Sequence, residues 1–194
     1  LLPFYRRDIE YGRLTEEEAL DLICHLWSRM EELADVTNIC IGGQTPDGHD
    51  ATNELSYLCL EATRLVQSPH TNLSARFHDG TPDRFHRACF DVIRTGVGFP
   101  AIFNDHVLIE GLINFGIPPE IARDHCMVGC IETMLAGRQQ AWSDSRFNTL
   151  VSLLKALKQL QADPDPSWDK LTACLRRAFA EDITAHVSGI NAKI

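Results

Sequence analysis

Cys130, Ile131 and Glu132 set a thiol and a carboxylate two positions apart, directly after Gly129. In extended backbone the side chains alternate with period two, so Cys130 and Glu132 are expected to project to the same side and face one cavity. A carboxyl group in an apolar cavity has its charged form disfavoured and its pKa raised, which suits proton transfer near neutral pH. Gly129 leaves room for the close approach of another backbone or a ligand. Two chemistries use such a pair: a thiolate nucleophile, or a sulfur radical that takes a hydrogen atom while the carboxylate moves a proton. A facing carboxylate opposes formation of a thiolate, whereas a neutral thiyl is indifferent to that charge. On spacing alone, a buried structural cysteine beside a surface glutamate is still the favoured reading.

Two other patterns offer weaker candidates. Cys126 and Cys130, next to Asp124 and His125, supply half of a zinc site, but no second Cys/His pair at ligand spacing completes four ligands. Gly42 and Gly43 open the run GGQTPDG, which lacks the spacing of a dinucleotide loop and the lysine of a P-loop; a plain turn is the better reading.

The elements that must position these residues read as alternating strands and helices. Thr15 and Glu18 form a capping-box pattern, and Ala19, Leu20, Ile23, Leu26, Trp27, Met30 and Leu33 recur at helical spacing behind it. A short strand precedes Gly42, and Asp50 or Thr52 is expected to cap a helix to about residue 67. Leu73 to His78 alternates as a strand; Thr81 or Asp83 starts a helix with Phe85, Ala88, Cys89, Val92 and Ile93 on one face. The run PAIFND is a further strand leading into Asn104 and Asp105, which can cap a helix over 106–115, and Pro118 and Pro119 open a short helix to about Asp124. Residues 125–133 are apolar and β-compatible. Phe147–Leu160 and about 168–189 read as helices joined by a proline-broken connection. Strands alternating with helices argue for an α/β arrangement with parallel pairing.

Composition narrows the function. The 194 residues carry 27 acidic and 18 basic side chains, a net charge of -9, with no basic stripe to neutralise phosphates, which argues against nucleic acid or an anionic membrane surface. No run approaches a membrane span and no signal segment opens the chain, so a cytoplasmic location is expected. Seven cysteines, an odd number, sit mostly in apolar patterns, where a disulfide framework is not expected. The first residue is Leu1, within an amphipathic region, which suggests a piece of a longer parent.

The stretch TGVGFPAIFNDHVLIEGLINFGIPPEIARDHCMVGCIE, Thr95 to Glu132, closely resembles the region around the catalytic cysteine of glycyl radical enzymes, the superfamily of pyruvate formate-lyase and the radical dehydratases. RRDIEYGRLTEEEAL and GGQTPDGHDATNELSYLCLEATR resemble the same family in the same order, and the match tapers after about residue 160. The resemblance implies an α/β fold, a helix-rich portion of a ten-stranded barrel, with Cys130 on a hairpin loop at its centre. Residues 1–194 would then be a partial barrel domain, truncated at both ends. It also implies Cys130 as the hydrogen-atom abstractor and Glu132 as the base, in a Gly-Cys-Val-Glu motif where Ile131 replaces Val. Asp144, in QAWSDSRFN, takes the place of a carboxylate that binds a substrate hydroxyl. No metal or cofactor is implied to bind this chain directly. The radical would reside on a glycine that is none of the twelve here and be installed by a radical S-adenosylmethionine activating enzyme. The partners implied are a small hydroxylated substrate such as glycerol or a diol, that activase, and a second copy of the full-length parent. Thr133 and Ser143 depart from the family pattern, which leaves the substrate open. Lyases of choline, isethionate or hydroxyproline are alternatives, as are a formate acetyltransferase-like enzyme, disfavoured because Gly129 replaces the first of two adjacent cysteines, and a non-catalytic fragment.

Overall fold

A computed structural model of the chain describes residues 1–33, 37–138 and 147–191. The chain divides into two compact units, Leu1–Ala141 and Trp142–Ile194.

The first unit starts with helices α1 (Leu2–Glu10) and α2 (Glu16–Leu33), then alternates β1 (Thr37–Gly42), α3 (Glu54–Val66), β2 (Thr71–Phe77), α4 (Asp83–Ile93), β3 (Ala101–Asn104), α5 (Asp105–Asn114) and α6 (Pro119–Arg123). It ends in a hairpin of β4 (His125–Val128) and β5 (Glu132–Leu135). The three strands β1, β2 and β3 lie side by side in chain order and are parallel, as the strand–helix alternation predicts. The register pairs Asn38 with Asn72, Cys40 with Ser74 and Gly42 with Arg76.

The capping box at α2 is reciprocal: Thr15 N donates to Glu18 Oε2 at 2.8 Å, and Glu18 N donates to Thr15 Oγ1 at 3.2 Å. The cap of α3 is Asn53, not Asp50 or Thr52: its Oδ1 accepts from Leu55 N, while Asp50 is occupied by Thr52 Oγ1 and His78 Nε2. Thr81 likewise serves a turn, accepting from His78 N, and α4 begins at Asp83 behind Pro82. At α5 the expected cap Asn104 is in place, accepting from His106 N at 3.0 Å.

The period-two alternation of the strands divides the sheet into two unlike faces. Ile41, Leu73 and Ala75, with Ile39 and Phe77 beside them, pack into a core with Trp27, Cys59, Leu60, Ala62, Phe85, Cys89 and Val92 from the helices. Within it Trp27 Nε1 donates to Thr63 Oγ1 at 2.9 Å, so the indole N–H is buried with a partner. Asn38 and Cys40 of β1 and Asn72, Ser74 and Arg76 of β2 belong to the opposite face, along which the β4–β5 hairpin lies. The central strand β2 is therefore buried on both sides from Leu73 to Arg76, where simple alternation predicts one wet face.

The second unit is a helical hairpin of α7 (Thr149–Gln161) and α8 (Trp168–Asn191), with Asn148 capping α7 through Leu150 N at 3.1 Å. Ser152, Ala156 and Ala178 are buried between the helices, and Ser152 Oγ donates to Asp182 Oδ2 at 2.7 Å. Small residues and a satisfied hydroxyl let the helices approach closely. Among the described residues no helix is long and apolar enough to cross a membrane.

Candidate functional site

Cys130 stands in the turn between β4 and β5, and of the seven cysteines it is the exposed one. The others are inside or half-buried, and burial pushes the thiols of Cys40 and Cys59 up to about 11 and that of Cys89 to about 12. Thiols held so far from ionisation and from solvent are inert. Antiparallel pairing brings Val128 opposite Glu132, which leaves Gly129, Cys130 and Ile131 to close the hairpin. Gly129 takes φ +59°, a left-handed conformation that glycine adopts without steric cost.

The expected extended geometry of Cys130–Ile131–Glu132 is not what forms. The backbone turns at Cys130 and Ile131, and Glu132 folds its carboxylate back over that turn: Oε2 accepts from Cys130 N at 2.9 Å and from Ile131 N at 3.0 Å. These backbone donors hold the Glu132 carboxyl below its ordinary value, Ile131 N–H contributing most. Among the described residues the apolar setting that would raise its pKa is not present around it. The third expected residue, Asp144, lies outside the described residues. Thiol and carboxylate are thus brought together through the turn backbone: the sulfur is presented outward and the carboxylate, ionised at neutral pH, braces the backbone that carries it.

The hairpin is anchored from beneath by a buried charge cluster that the sequence reading missed. Arg76 of β2 donates through Nε and Nη2 to the two oxygens of Asp105 at 2.7 and 2.8 Å, and its remaining donors reach His125 O at 2.7 Å and Arg123 O at 2.8 Å. One guanidinium thereby joins β2, the start of α5, the end of α6 and the first residue of β4. The planar fork of arginine suits this, since it serves a carboxylate bidentately and has donors left for carbonyls. His125 Nδ1 donates to Ala122 O at 2.8 Å, while Nε2 stands 3.6 Å from Asp105 Oδ1 without a hydrogen-bond partner among the described residues. Burial, with the nearby Arg76 charge, moves the His125 pKa down, against the pull of the Ala122 carbonyl and of Asp105 and Asp124.

Gly42 and Gly43 have their explanation here. A Cβ on Gly42 would stand 2.8 Å from Arg76 O, and one on Gly43 would stand 2.6 Å from Arg76 Cζ. The glycine pair makes room for the arginine, and the segment beyond it forms a turn in which Gly48 N donates to Thr45 O. Among the described residues no cluster of three or more His, Cys, Asp or Glu side chains is placed to hold a metal ion.

At its tip the hairpin is tied to the sheet by Asn72 Nδ2, which donates to Gly129 O at 2.9 Å, and by Asn38 Nδ2, at 3.2 Å from both Gly129 O and Cys130 O. The signal for these two was present: the dipeptide Thr-Asn opens both TNICIG and TNLSARF, and pairing sets the two copies in register.

Comparison with known proteins matches residues 1–161 to the pyruvate formate lyase-like family. The chain is 34% identical over 169 residues to an isethionate sulfite-lyase of Oleidesulfovibrio alaskensis, covering 79% of this chain and 20% of that protein. It is 38% identical over 157 residues to a probable dehydratase of Escherichia coli, covering 71% of this chain and 19% of the relative. A structure of 1,2-propanediol dehydration in Roseburia inulinivorans superposes with a TM-score of 0.82 at 28% identity, over 96% of this chain and 27% of that one. The chain spans about a fifth of the length of the curated relatives it matches.

Proposed function

Because the chain belongs to the pyruvate formate lyase-like family of glycyl radical enzymes, we propose that it is the cysteine-bearing portion of a longer enzyme that dehydrates a small hydroxylated substrate or cleaves its carbon–heteroatom bond. The observation that carries this reading is the exposed Cys130 on a turn whose backbone is braced by the Glu132 carboxylate. Large exposed apolar side chains, Phe115 in the first unit and Leu150 and Leu154 in the second, support a parent in which further chain covers each of them. In that parent the hairpin would project into the ten-stranded barrel.

The thiyl form of Cys130 is made by giving its hydrogen atom to a glycyl radical held elsewhere in the parent and installed by a radical S-adenosylmethionine activase. The exposed sulfur is open to such a partner. Cys130 Sγ then takes a hydrogen atom from a carbinol C–H and becomes a thiol again. Glu132, ionised beforehand, accepts the proton of that carbinol hydroxyl. The neighbouring C–O bond breaks, Glu132 returns the proton to the departing hydroxyl, and water leaves. Asp144 is assigned to hydrogen-bond the diol. The remaining carbon radical recovers its hydrogen atom from Cys130, so the substrate loses one water with no net oxidation. With a sulfonate in place of the second hydroxyl, as the similarity to an isethionate lyase suggests, sulfite leaves instead.

Acetyl transfer through two adjacent cysteines is the less favoured reading, since Gly129 holds a left-handed backbone that a cysteine would adopt only with strain. The test is turnover by the full-length parent on isethionate, glycerol and 1,2-propanediol. Cys130→Ala and Glu132→Gln are each expected to lose product formation; an active Cys130→Ala enzyme overturns the proposal. Choline and trans-4-hydroxy-L-proline complete the panel, and absence of product with all five substrates from an enzyme carrying its radical favours the acetyltransferase or the non-catalytic reading.

A further inference from the structure

The two asparagines at the hairpin tip do more than fill the seam. Gly129 O, with two lone pairs, accepts from both of them, and Asn38 extends a second contact to Cys130 O. Both acceptors are carbonyl oxygens, so each amide is oriented with its nitrogen toward the hairpin. For Asn38 this leaves Oδ1 buried with no partner among the described residues. An unpaired buried acceptor is costly, and the orientation that incurs it is the one that keeps a donor on Gly129 and Cys130. At the other end of the seam Arg76 holds His125 O. From Asn72 to Arg76, and from Gly129 back to His125, each chain advances four residues, so the clamp at the tip and the anchor at the base are in step. The hairpin cannot slide along the sheet without losing both.

We propose that Asn38 and Asn72 are positioning residues that set where Cys130 Sγ sits for hydrogen-atom transfer. This rests on the reading of Cys130 as the transferring residue, and neither asparagine needs to touch the substrate. The expected consequence is kinetic. A reacting atom displaced by about 1 Å loses orders of magnitude in rate.

The experiment uses the full-length enzyme with its glycyl radical installed, transferred to D2O without substrate. Cys130 S–D gives a deuterium atom to the glycyl carbon and becomes a thiyl; return transfer removes either hydrogen or deuterium, so the radical becomes deuterated. Collapse of the α-hydrogen splitting in the electron paramagnetic resonance spectrum therefore reads the transfer rate with no turnover involved. Asn72→Asp and Asn38→Asp keep side-chain size but replace the donor with a carboxylate that faces a carbonyl. Each is expected to slow the exchange by about tenfold or more, with radical yield at the wild-type level. Asn72→Ser, uncharged and too short to reach Gly129, gives the same result should the aspartate variant fail to assemble. Wild-type exchange in the double variant Asn38→Ser/Asn72→Ser, with Cys130→Ala silent, overturns the positioning role. Exchange that persists in Cys130→Ala removes Cys130 from the transfer and overturns the proposed function together with this inference.

Discussion

Arg76 and Asp105 meet through two parallel hydrogen bonds of 2.7 and 2.8 Å beneath the β4–β5 hairpin, with the Asp105 side chain 0% exposed and that of Arg76 6%. A charge pair this deep adds little net stability against an apolar pair of the same shape, but half of it is ruinous, because the survivor is left charged and unpaired. Asp105→Ala is expected to destabilise the protein by about 3–5 kcal/mol, measured by urea unfolding followed by circular dichroism. The double variant Arg76→Met/Asp105→Leu is expected to cost less than the two single changes added together. It does not become neutral, since the carbonyls of His125 and Arg123 lose their donor. A double variant that melts like the wild type would show that the cluster does not anchor the hairpin.

The glycines give a second test, because two of them share a backbone conformation and differ in surroundings. Gly12 (φ +63°) has nothing within 4 Å of an added Cβ, whereas Gly43 (φ +78°) would bring one to 2.6 Å from Arg76 Cζ. Gly12→Ala carries only the left-handed strain of an L-residue, about 1–2 kcal/mol. Gly43→Ala adds displacement of the buried guanidinium and is expected to exceed about 3 kcal/mol. Equal melting temperatures for the two variants would mean that Arg76 relocates without cost.

The difference between Gly12 and Gly43 also marks how far the sequence can be read. Local rules placed the reciprocal cap of Thr15 and Glu18, a cap at Asn104 or Asp105 and the parallel pairing of the strands, because each depends on neighbours in the chain or on hydrophobic period. They missed Asn53 as the α3 cap, since Asp50 and Thr52 are equally good caps until His78, brought from 28 residues away, engages Asp50. They could not see Arg76 with Asp105, 29 residues apart, or why Gly43 precedes a turn, for the cause is a side chain from another strand. At the site, Cys130 and Glu132 were legible as types and as neighbours, but the period-two argument assumed a strand where the chain turns.

That turn makes Glu132 sensitive to pH in a defined direction. Donors from Ile131, then from Glu132's own backbone and Cys130, hold its carboxyl below the ordinary value of 4.5. A depressed folded pKa contributes stability that is present above the ordinary value and is lost as pH falls through the folded one. The turn is therefore expected to be intact at neutral pH and to loosen only as pH falls below the ordinary carboxylate range. Amide hydrogen exchange at Cys130 and Ile131, corrected for its intrinsic pH dependence, reads this directly. Glu132→Ala should show unprotected exchange at both amides at every pH, while Glu132→Gln, with a neutral acceptor, should protect them partly and without a titration step. Protection that survives in Glu132→Ala would free the carboxylate from any part in shaping the turn. An ionised Glu132 at pH 7 also fixes the order of events in the proposed chemistry: the group is ready to accept a proton before it can give one, so proton removal from the substrate precedes departure of the leaving group.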